Sequence, residues 1–298
     1  MNFKNVTIAG SGVLGYQIAF QTAFHGFNVT VYDINDKVLD KAKAKFELMS
    51  EAFKRDLGAT QEQLDATFKN LHYNSDLKEA VKDADLVIEA VPENPQIKLD
   101  FYQKLAKAAP EKTIFATNSS TLLPSQFADT TGRPEKFAAL HFANTIWINN
   151  TAEIMGHADT DRAVFDALVD FAKAIGMVAL PLYKEQPGYI LNSLLVPLLS
   201  AATNLLVNDV ADFETIDKTW MVATGAPMGP FGILDVVGIT TAYNINQMQA
   251  EKTQDPLKIK TVEYLKEQFI DKNKLGVATG EGFYKYPNPA YKEKNFLK

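Results

Sequence analysis

The stretch Gly10-Ser11-Gly12-Val13-Leu14-Gly15 restricts this chain more than any other. Its glycine spacing alone is weak, because glycine loops show it by chance. Its surroundings strengthen it. Val6–Ala9 reads as a short buried strand, and Gln17–Phe24 reads as a helix ending at His25-Gly26. Asn28–Tyr32 reads as a second strand closing on Asp33. In such a strand–helix–strand unit the first glycine permits the tight turn, the second lets backbone approach a pyrophosphate, and the third lets helix and strand pack closely. The free N–H groups of the helix N-terminus, with their partial positive charge, suit the phosphates. Gly10, Ser11, Gly12, Val13, Leu14 and Gly15 are therefore candidate dinucleotide contacts. Asp33 stands where a carboxylate accepts the ribose hydroxyls and repels a 2′-phosphate, and Ile34-Asn35 offers no arginine to receive one. The expected cofactor is NAD rather than NADP. The competing reading is a glycine turn in some other α/β protein.

The rest of the chain continues the alternation. Asp36 caps a long helix to about Leu57, and Gln61–Lys69 folds back against it as a helical hairpin. Segments at 86–90, 98–108, 113–117, 137–142, 151–155, 161–175 and 177–181 then alternate between strand and helix character. This pattern predicts a doubly wound α/β sheet. From Gly188 onward only helices are expected, over 189–208, 213–223, 231–249 and 256–272. The polar linker Lys184–Pro187 places the boundary between a Rossmann-type domain, 1–186, and an all-helical domain, 187–298.

With 298 residues there is room for two cores. A net charge of -6 with no basic run disfavours nucleic acid. The absence of cysteine excludes disulfides, iron–sulfur ligation and a thiol nucleophile, and four scattered histidines give no metal motif. Met1–Asn5 shows no cleavage-site pattern, and Tyr189–Val207 is apolar but carries Asn192, Ser193, Pro197, Ser200, Thr203 and Asn204. A cytoplasmic protein without a membrane span is the expectation, with that helix buried. Burying it in a small domain calls for a second copy of the chain.

Further motifs follow in order: Val87-Ile88-Glu89-Ala90-Val91-Pro92-Glu93-Asn94, Ala116-Thr117-Asn118-Ser119-Ser120, and Leu140-His141-Phe142 with Glu153 twelve residues on. Then come Pro187-Gly188-Tyr189-Ile190-Leu191-Asn192, Pro227-Met228-Gly229-Pro230-Phe231 and Thr279-Gly280-Glu281-Gly282-Phe283-Tyr284. Along its whole length the chain resembles the 3-hydroxyacyl-CoA dehydrogenases, including the bacterial 3-hydroxybutyryl-CoA dehydrogenases. The resemblance implies a homodimer formed through the helical domain and an acyl-CoA substrate. It implies that His141 is the acid/base for the 3-hydroxyl, oriented by Glu153. Imidazole suits that task because it titrates near neutral pH. It implies substrate contacts from Ser119 and Asn192 in a cleft between the domains, and contacts to the nicotinamide half from Glu93, Lys98 and Asn144. His25, His72 and His157 carry no such motif and read as structural.

The chain also departs from the family. The segment Ala143–Ala152 lacks the usual prolines and lysine and contains Trp147. The family's CoA contacts on the helical hairpin fall at Met49 and Asp56, with Ser50, Lys54 and Arg55 nearby as substitutes. The row Lys37, Lys41, Lys45 reads as a solvated helix face. Two rivals therefore stay open. One is the same hydride chemistry on a non-CoA hydroxy acid, such as a sugar acid or a carnitine-like compound. The other is an NAD-binding regulator without turnover.

Overall fold

A computed structural model describes residues 3–298. They form two compact units that divide between Leu191 and Asn192. The division lies at 191/192, five residues beyond the sequence-based boundary at 186/187.

The first unit is built on one eight-stranded sheet. Its strands are β1 (Asn5–Ala9), β2 (Asn28–Tyr32), β3 (Leu71–Asn74), β4 (Leu86–Glu89), β5 (Ile114–Thr117), β6 (Phe137–Phe142), β7 (Thr151–Met155) and β8 (Val178–Leu182). The spatial order is β3-β2-β1-β4-β5-β6-β7-β8. Every neighbouring pair is parallel except β6–β7. The order reverses between β1 and β4, and in open α/β sheets that switch point opens a crevice at the carboxyl ends of the strands. The connecting helices are α1 (Val13–Phe24), α2 (Asp36–Leu57), α3 (Gln61–Lys69), α4 (Leu77–Val81), α5 (Pro95–Ala108) and α6 (Arg162–Ala174).

Local chemistry sets these elements. Asn35, not the expected Asp36, caps α2 by accepting Val38 N–H, with Asp36 in the first turn, and Gly58 ends the helix in the left-handed conformation that favours glycine. Thr60 and Gln63 form a reciprocal capping box that starts α3. Asn94 accepts from Gln96 and Ile97, with Pro95 at the first position of α5. The segments β3 and α4 carry too few residues for periodicity to distinguish them from loop, and the sequence reading passed over both.

The second unit contains α7 (Tyr189–Val207, whose first three residues belong to the first unit), α8 (Phe213–Thr224), α9 (Pro230–Val237), α10 (Ile239–Thr253) and α11 (Pro256–Gln268). The single helix expected over 231–249 is two, broken at Gly238 with φ +95°. The helix expected to reach 272 ends at Gln268, followed by a short 3-10 turn. The aromatic core of this unit includes Phe231, Phe269, Phe283, Tyr284 and Tyr291. Helix α7 was expected to be buried. Only 22% of its most apolar 18-residue window is buried, and Leu194 is 70% exposed, because the remaining helices of one chain leave much of its apolar surface uncovered.

Two buried aspartates explain the glycine motifs of this unit. Asp217 accepts the N–H groups of Phe231 (2.9 Å) and Gly232 (3.0 Å) at the start of α9, and the Tyr284 hydroxyl (2.9 Å). Asp235 accepts the N–H groups of Phe283 and Tyr284, both at 2.8 Å, and the Tyr286 hydroxyl at 3.1 Å. A Cβ on Gly229 would collide with the Asp217 carboxylate, and one on Gly282 with that of Asp235. Asp217→Ala should destabilise the protein by about 3 kcal/mol, because it strands three buried donors. The shift of the urea unfolding midpoint measures this, and an unchanged midpoint would refute the role.

Candidate active site

The carboxyl ends of β1, β4, β5 and β6 supply most of the candidate residues. Gly10, just beyond β1, has φ +103°, and a Cβ there would press on the Ala90 carbonyl oxygen. A Cβ on Gly15 would strike the Gly10 carbonyl. Gly12 is different: nothing lies within 4 Å of its missing side chain. Gly12 also caps α1 with no side-chain hydrogen bond and no acid in the first turn. An open glycine face at an uncapped helix start fits a pyrophosphate. Asp33 accepts Ser11 N–H (2.8 Å) and Ser11 Oγ (2.6 Å) through Oδ2, and Ile34 N–H (2.8 Å) through Oδ1. That holds its carboxylate at the end of β2, beside the glycine turn.

His141 and Glu153 face each other as direct register partners across the antiparallel β6–β7 pair. This register, not loop proximity, makes twelve residues the right separation. His141 Nδ1 lies 3.0 Å from Glu153 Oε2. A carboxylate only accepts, so Nδ1 carries a hydrogen, and in the neutral ring Nε2 is the nitrogen that can take a proton. Glu153 Oε1 accepts the N–H groups of Ile190 (2.9 Å) and Leu191 (3.0 Å) at the start of α7. Both side chains are buried. Burial alone would raise the Glu153 carboxyl. The His141 ring and the two N–H groups outweigh it and hold the carboxyl below its ordinary value.

His141 Nε2 meets a serine, and it is Ser120, at 3.2 Å. Ser119, the serine singled out from sequence, is turned elsewhere. Its hydroxyl donates to Glu93 Oε1 at 2.5 Å and accepts Leu122 N–H at 3.0 Å. A serine hydroxyl has one hydrogen, and this one is already committed. In a run of two serines, residue type alone did not separate them.

A second residue missed from sequence is Tyr189. Its ring stacks on His141 with centroids 4.4 Å apart and planes 14° from parallel, and its hydroxyl donates to the Ser119 carbonyl at 2.7 Å. Its φ of 55° is unusual for a side chain of this size. The preceding Pro187-Gly188 motif was the available signal. Burial and the nearby carboxylates Glu93, Glu153 and Glu89 push the Tyr189 hydroxyl far up, so it stays a neutral donor.

Glu93 and Lys98 are in contact at 3.3 Å. Burial would raise Glu93, but the Ser119 hydroxyl, the Lys98 ammonium and Thr121 hold it low. Asn144 turns its carbonyl oxygen to Gln17 Nε2 (2.7 Å), and Thr145 after it sits at φ 63°. Asn192, the fourth residue of α7, is half-buried and begins the second unit. The hairpin candidates fare differently. Ser50 is buried on the inner face of α2, and Lys54 pairs with Glu51 at 3.0 Å. Asp56 is held by Arg55 (2.7 Å) and by Trp147 Nε1–H (2.9 Å), and Met49 is in the core. His25, His72 and His157 bond Gln21 O, Asn28 Oδ1 and Pro134 O, as structural histidines do.

Comparison with known proteins agrees with this geometry. Residues 5–186 match the model of the 3-hydroxyacyl-CoA dehydrogenase NAD binding domain. Residues 188–286 match that of the C-terminal domain of the same family. The chain belongs to the 3-hydroxyacyl-CoA dehydrogenase family. It is an NAD-dependent oxidoreductase. Among its family relatives, the human mitochondrial hydroxyacyl-coenzyme A dehydrogenase is 36% identical over 289 residues, 95% of this chain and 91% of that protein. A probable 3-hydroxybutyryl-CoA dehydrogenase of Bacillus subtilis is 29% identical, over 96% and 98% of the two chains. A solved diketoreductase, described as acting on dicarbonyl compounds, is 57% identical with a TM-score of 0.91, over 96% and 100% of the two chains.

The depressed Glu153 carboxyl has a consequence in acid. A carboxyl lowered by folding contributes stability above its unfolded value, about 4.3, and loses it as pH falls through the folded value. Asp217 and Asp235 run the other way, because burial pushes them up. Comparison with Glu153→Gln at each pH isolates the first effect. The wild-type excess in melting temperature should shrink between about pH 5 and pH 3. A constant excess would show that Glu153 is not stabilised as the anion.

Proposed function

We propose that the protein interconverts 3-hydroxy and 3-keto carbonyl compounds, with His141 as the acid/base. The observation that carries this reading is the arrangement of His141. Nδ1–H is held by Glu153, and Nε2 faces the Ser120 hydroxyl at 3.2 Å. In the oxidation direction His141 Nε2 takes the proton of the substrate hydroxyl. Glu153 keeps the ring oriented and stabilises the imidazolium. Ser120, already at hydrogen-bond distance from Nε2, contacts the same substrate oxygen and turns its hydrogen to it as charge develops. The glycine turn and Asp33 would hold NAD, which would supply the hydride acceptor. In reduction the same groups run in reverse, with His141 returning the proton.

The acyl part follows two readings. L-3-hydroxyacyl-CoA of short chain is the class that the resemblance and the names of the curated relatives support. A free dicarbonyl or hydroxy-carbonyl compound is favoured by the helical hairpin. Met49 and Ser50 face inward and Asp56 is an acid held to Trp147, so neither of the family's two contact positions offers a cation to a CoA phosphate, and Lys54 and Arg55 beside them are paired with Glu51 and Asp56. The similar diketoreductase points the same way.

NADH oxidation with acetoacetyl-CoA, compared with ethyl acetoacetate and a free β-diketone, decides between them. His141→Ala should lose roughly 100- to 10,000-fold in kcat on whichever substrate turns over. A folded, NADH-binding protein that turned over neither class would overturn the proposal in favour of a non-catalytic NAD binder.

The same reading includes a homodimer through α7. This helix has a mean hydropathy of 1.8 in its most apolar window and is mostly unburied, yet polar residues interrupt it. A second copy would cover its apolar face. Light scattering should give twice 33.0 kDa, and Leu194→Lys should shift the population to monomer. A monomeric wild type would remove the dimer from the proposal.

A further inference from the structure

Glu89, the last residue of β4, is fully buried, and so is Lys98. An ion pair taken this far out of water persists only where its remaining hydrogen-bonding capacity is also met. Here it is met on every side. Glu89 Oε1 accepts Lys98 Nζ at 2.6 Å and Val91 N–H at 2.9 Å. Glu89 Oε2 accepts the hydroxyls of Tyr102 at 2.9 Å and Thr117 at 2.7 Å. Lys98 and Tyr102 lie four residues apart on α5, so one helix face delivers both donors. The arrangement is too complete to be an incidental pair, and the proton transfer itself does not use it.

Its reach ends at the serine loop. On one side Thr117 Oγ1, fixed by its bond to Glu89, accepts Ser119 N–H at 3.1 Å. On the other side Lys98 bridges from Glu89 to Glu93, and Glu93 takes the Ser119 hydroxyl hydrogen and also Thr121 N–H (3.1 Å) and Oγ1 (2.8 Å). The Glu89 backbone adds a third hold, its carbonyl accepting Asn118 N–H at 2.8 Å. The loop 117–121 is thus gripped at the residues on both sides of Ser120. Ser120 is the residue in this loop that turns its hydroxyl to His141.

We propose that Glu89 is a positioning residue. Through Thr117 and through Lys98–Glu93 it commits Ser119 to structure and thereby presents Ser120 to His141 Nε2. Glu89 is buried, and its side chain bonds Lys98, Val91, Tyr102 and Thr117 rather than His141, so its effect runs through the loop. The inference rests on the proposed acid/base role of His141 for its kinetic consequence only. The placement of Ser120 is observable without any substrate.

Glu89→Gln keeps the shape but removes the charge facing Lys98 and brings an amide NH2 among four donors, so the Tyr102 and Thr117 hydroxyls must reverse their bonds or the Lys98 and Val91 bonds must break. Thr117→Val removes the Thr117 arm alone and serves where Glu89→Gln does not fold. Two measurements test the proposal. The first is the 15N resonance of His141 Nε2 in the cofactor-free protein, assigned with His141→Gln. Ser120→Ala should shift it, and Glu89→Gln or Thr117→Val should shift it in the same direction. The second is a double-substitution cycle on kcat. Glu89→Gln should lower kcat on the order of 10-fold with a smaller change in KM. Combined with Ser120→Ala it should be no worse than Ser120→Ala within about twofold, because both act through one contact. A folded Glu89→Gln or Thr117→Val protein whose His141 resonance stays at the wild-type position would overturn the proposal, as would effects that multiply in the cycle. Absence of turnover in the wild type would strike the functional reading alone and leave the resonance test standing.

Discussion

Glu153 is the carboxylate on which the candidate site depends. One of its oxygens faces His141 and the other takes two backbone N–H groups at the start of α7. The same side chain therefore sets the tautomer of the imidazole and fixes where the first turn of the helix lies. Tyr189, brought in by that turn, closes over the imidazole face and ties back to the Ser119 carbonyl. A neutral side chain at 153 could not do all of this, since only a carboxylate offers acceptors on both oxygens. The antiparallel β6–β7 pair in an otherwise parallel sheet makes this possible, because it sets His141 and Glu153 opposite each other on adjacent strands.

Buried charge recurs in the molecule as a means of fixing backbone. Glu89 and Lys98 organise the loop after β5, and Asp217 and Asp235 organise the start of α9 and the segment 283–284. Each carboxylate is surrounded by donors from segments distant in sequence. Such groups are costly to bury and costly to leave half-satisfied, so they select one arrangement of the surrounding chain over its near neighbours. In the second unit glycines are required beside them, because the carboxylate occupies the space a Cβ would need. The Pro-Met-Gly-Pro and Gly-Glu-Gly-Phe motifs are therefore packing motifs whose partners are aspartates elsewhere in the chain.

Elements with long, clear periodicity were legible in the sequence. Although the cap is Asn35 and not Asp36, and the end signals Gly58 and Thr60 went unread, the hairpin formed by α2 and α3 was read with its bounds in place. The short β3 and α4 were not, and the break at Gly238 was hidden because apolar residues continue on both sides of it. The fingerprint glycines and Asp33 were legible because each answers a steric or electrostatic demand within one strand–helix–strand unit. Ser120 was not, because a Ser-Ser pair presents the same chemistry twice. Tyr189 was not, because its position over an imidazole depends on a residue far away in the chain.

The sequence by itself determined the doubly wound class, the NAD-type cofactor and the His141/Glu153 pair as a candidate. These rest on local patterns: glycines where backbone must come close, an acid at a strand end, and ordered family motifs. Only the tertiary structure decided which serine meets the imidazole, that Lys54 and Asp56 are already engaged, and that Glu89 lies beneath the serine loop. The physical reason is the same in each case. Hydrogen-bonding capacity is finite, and which partner uses it depends on segments that folding brings together from far apart in the chain.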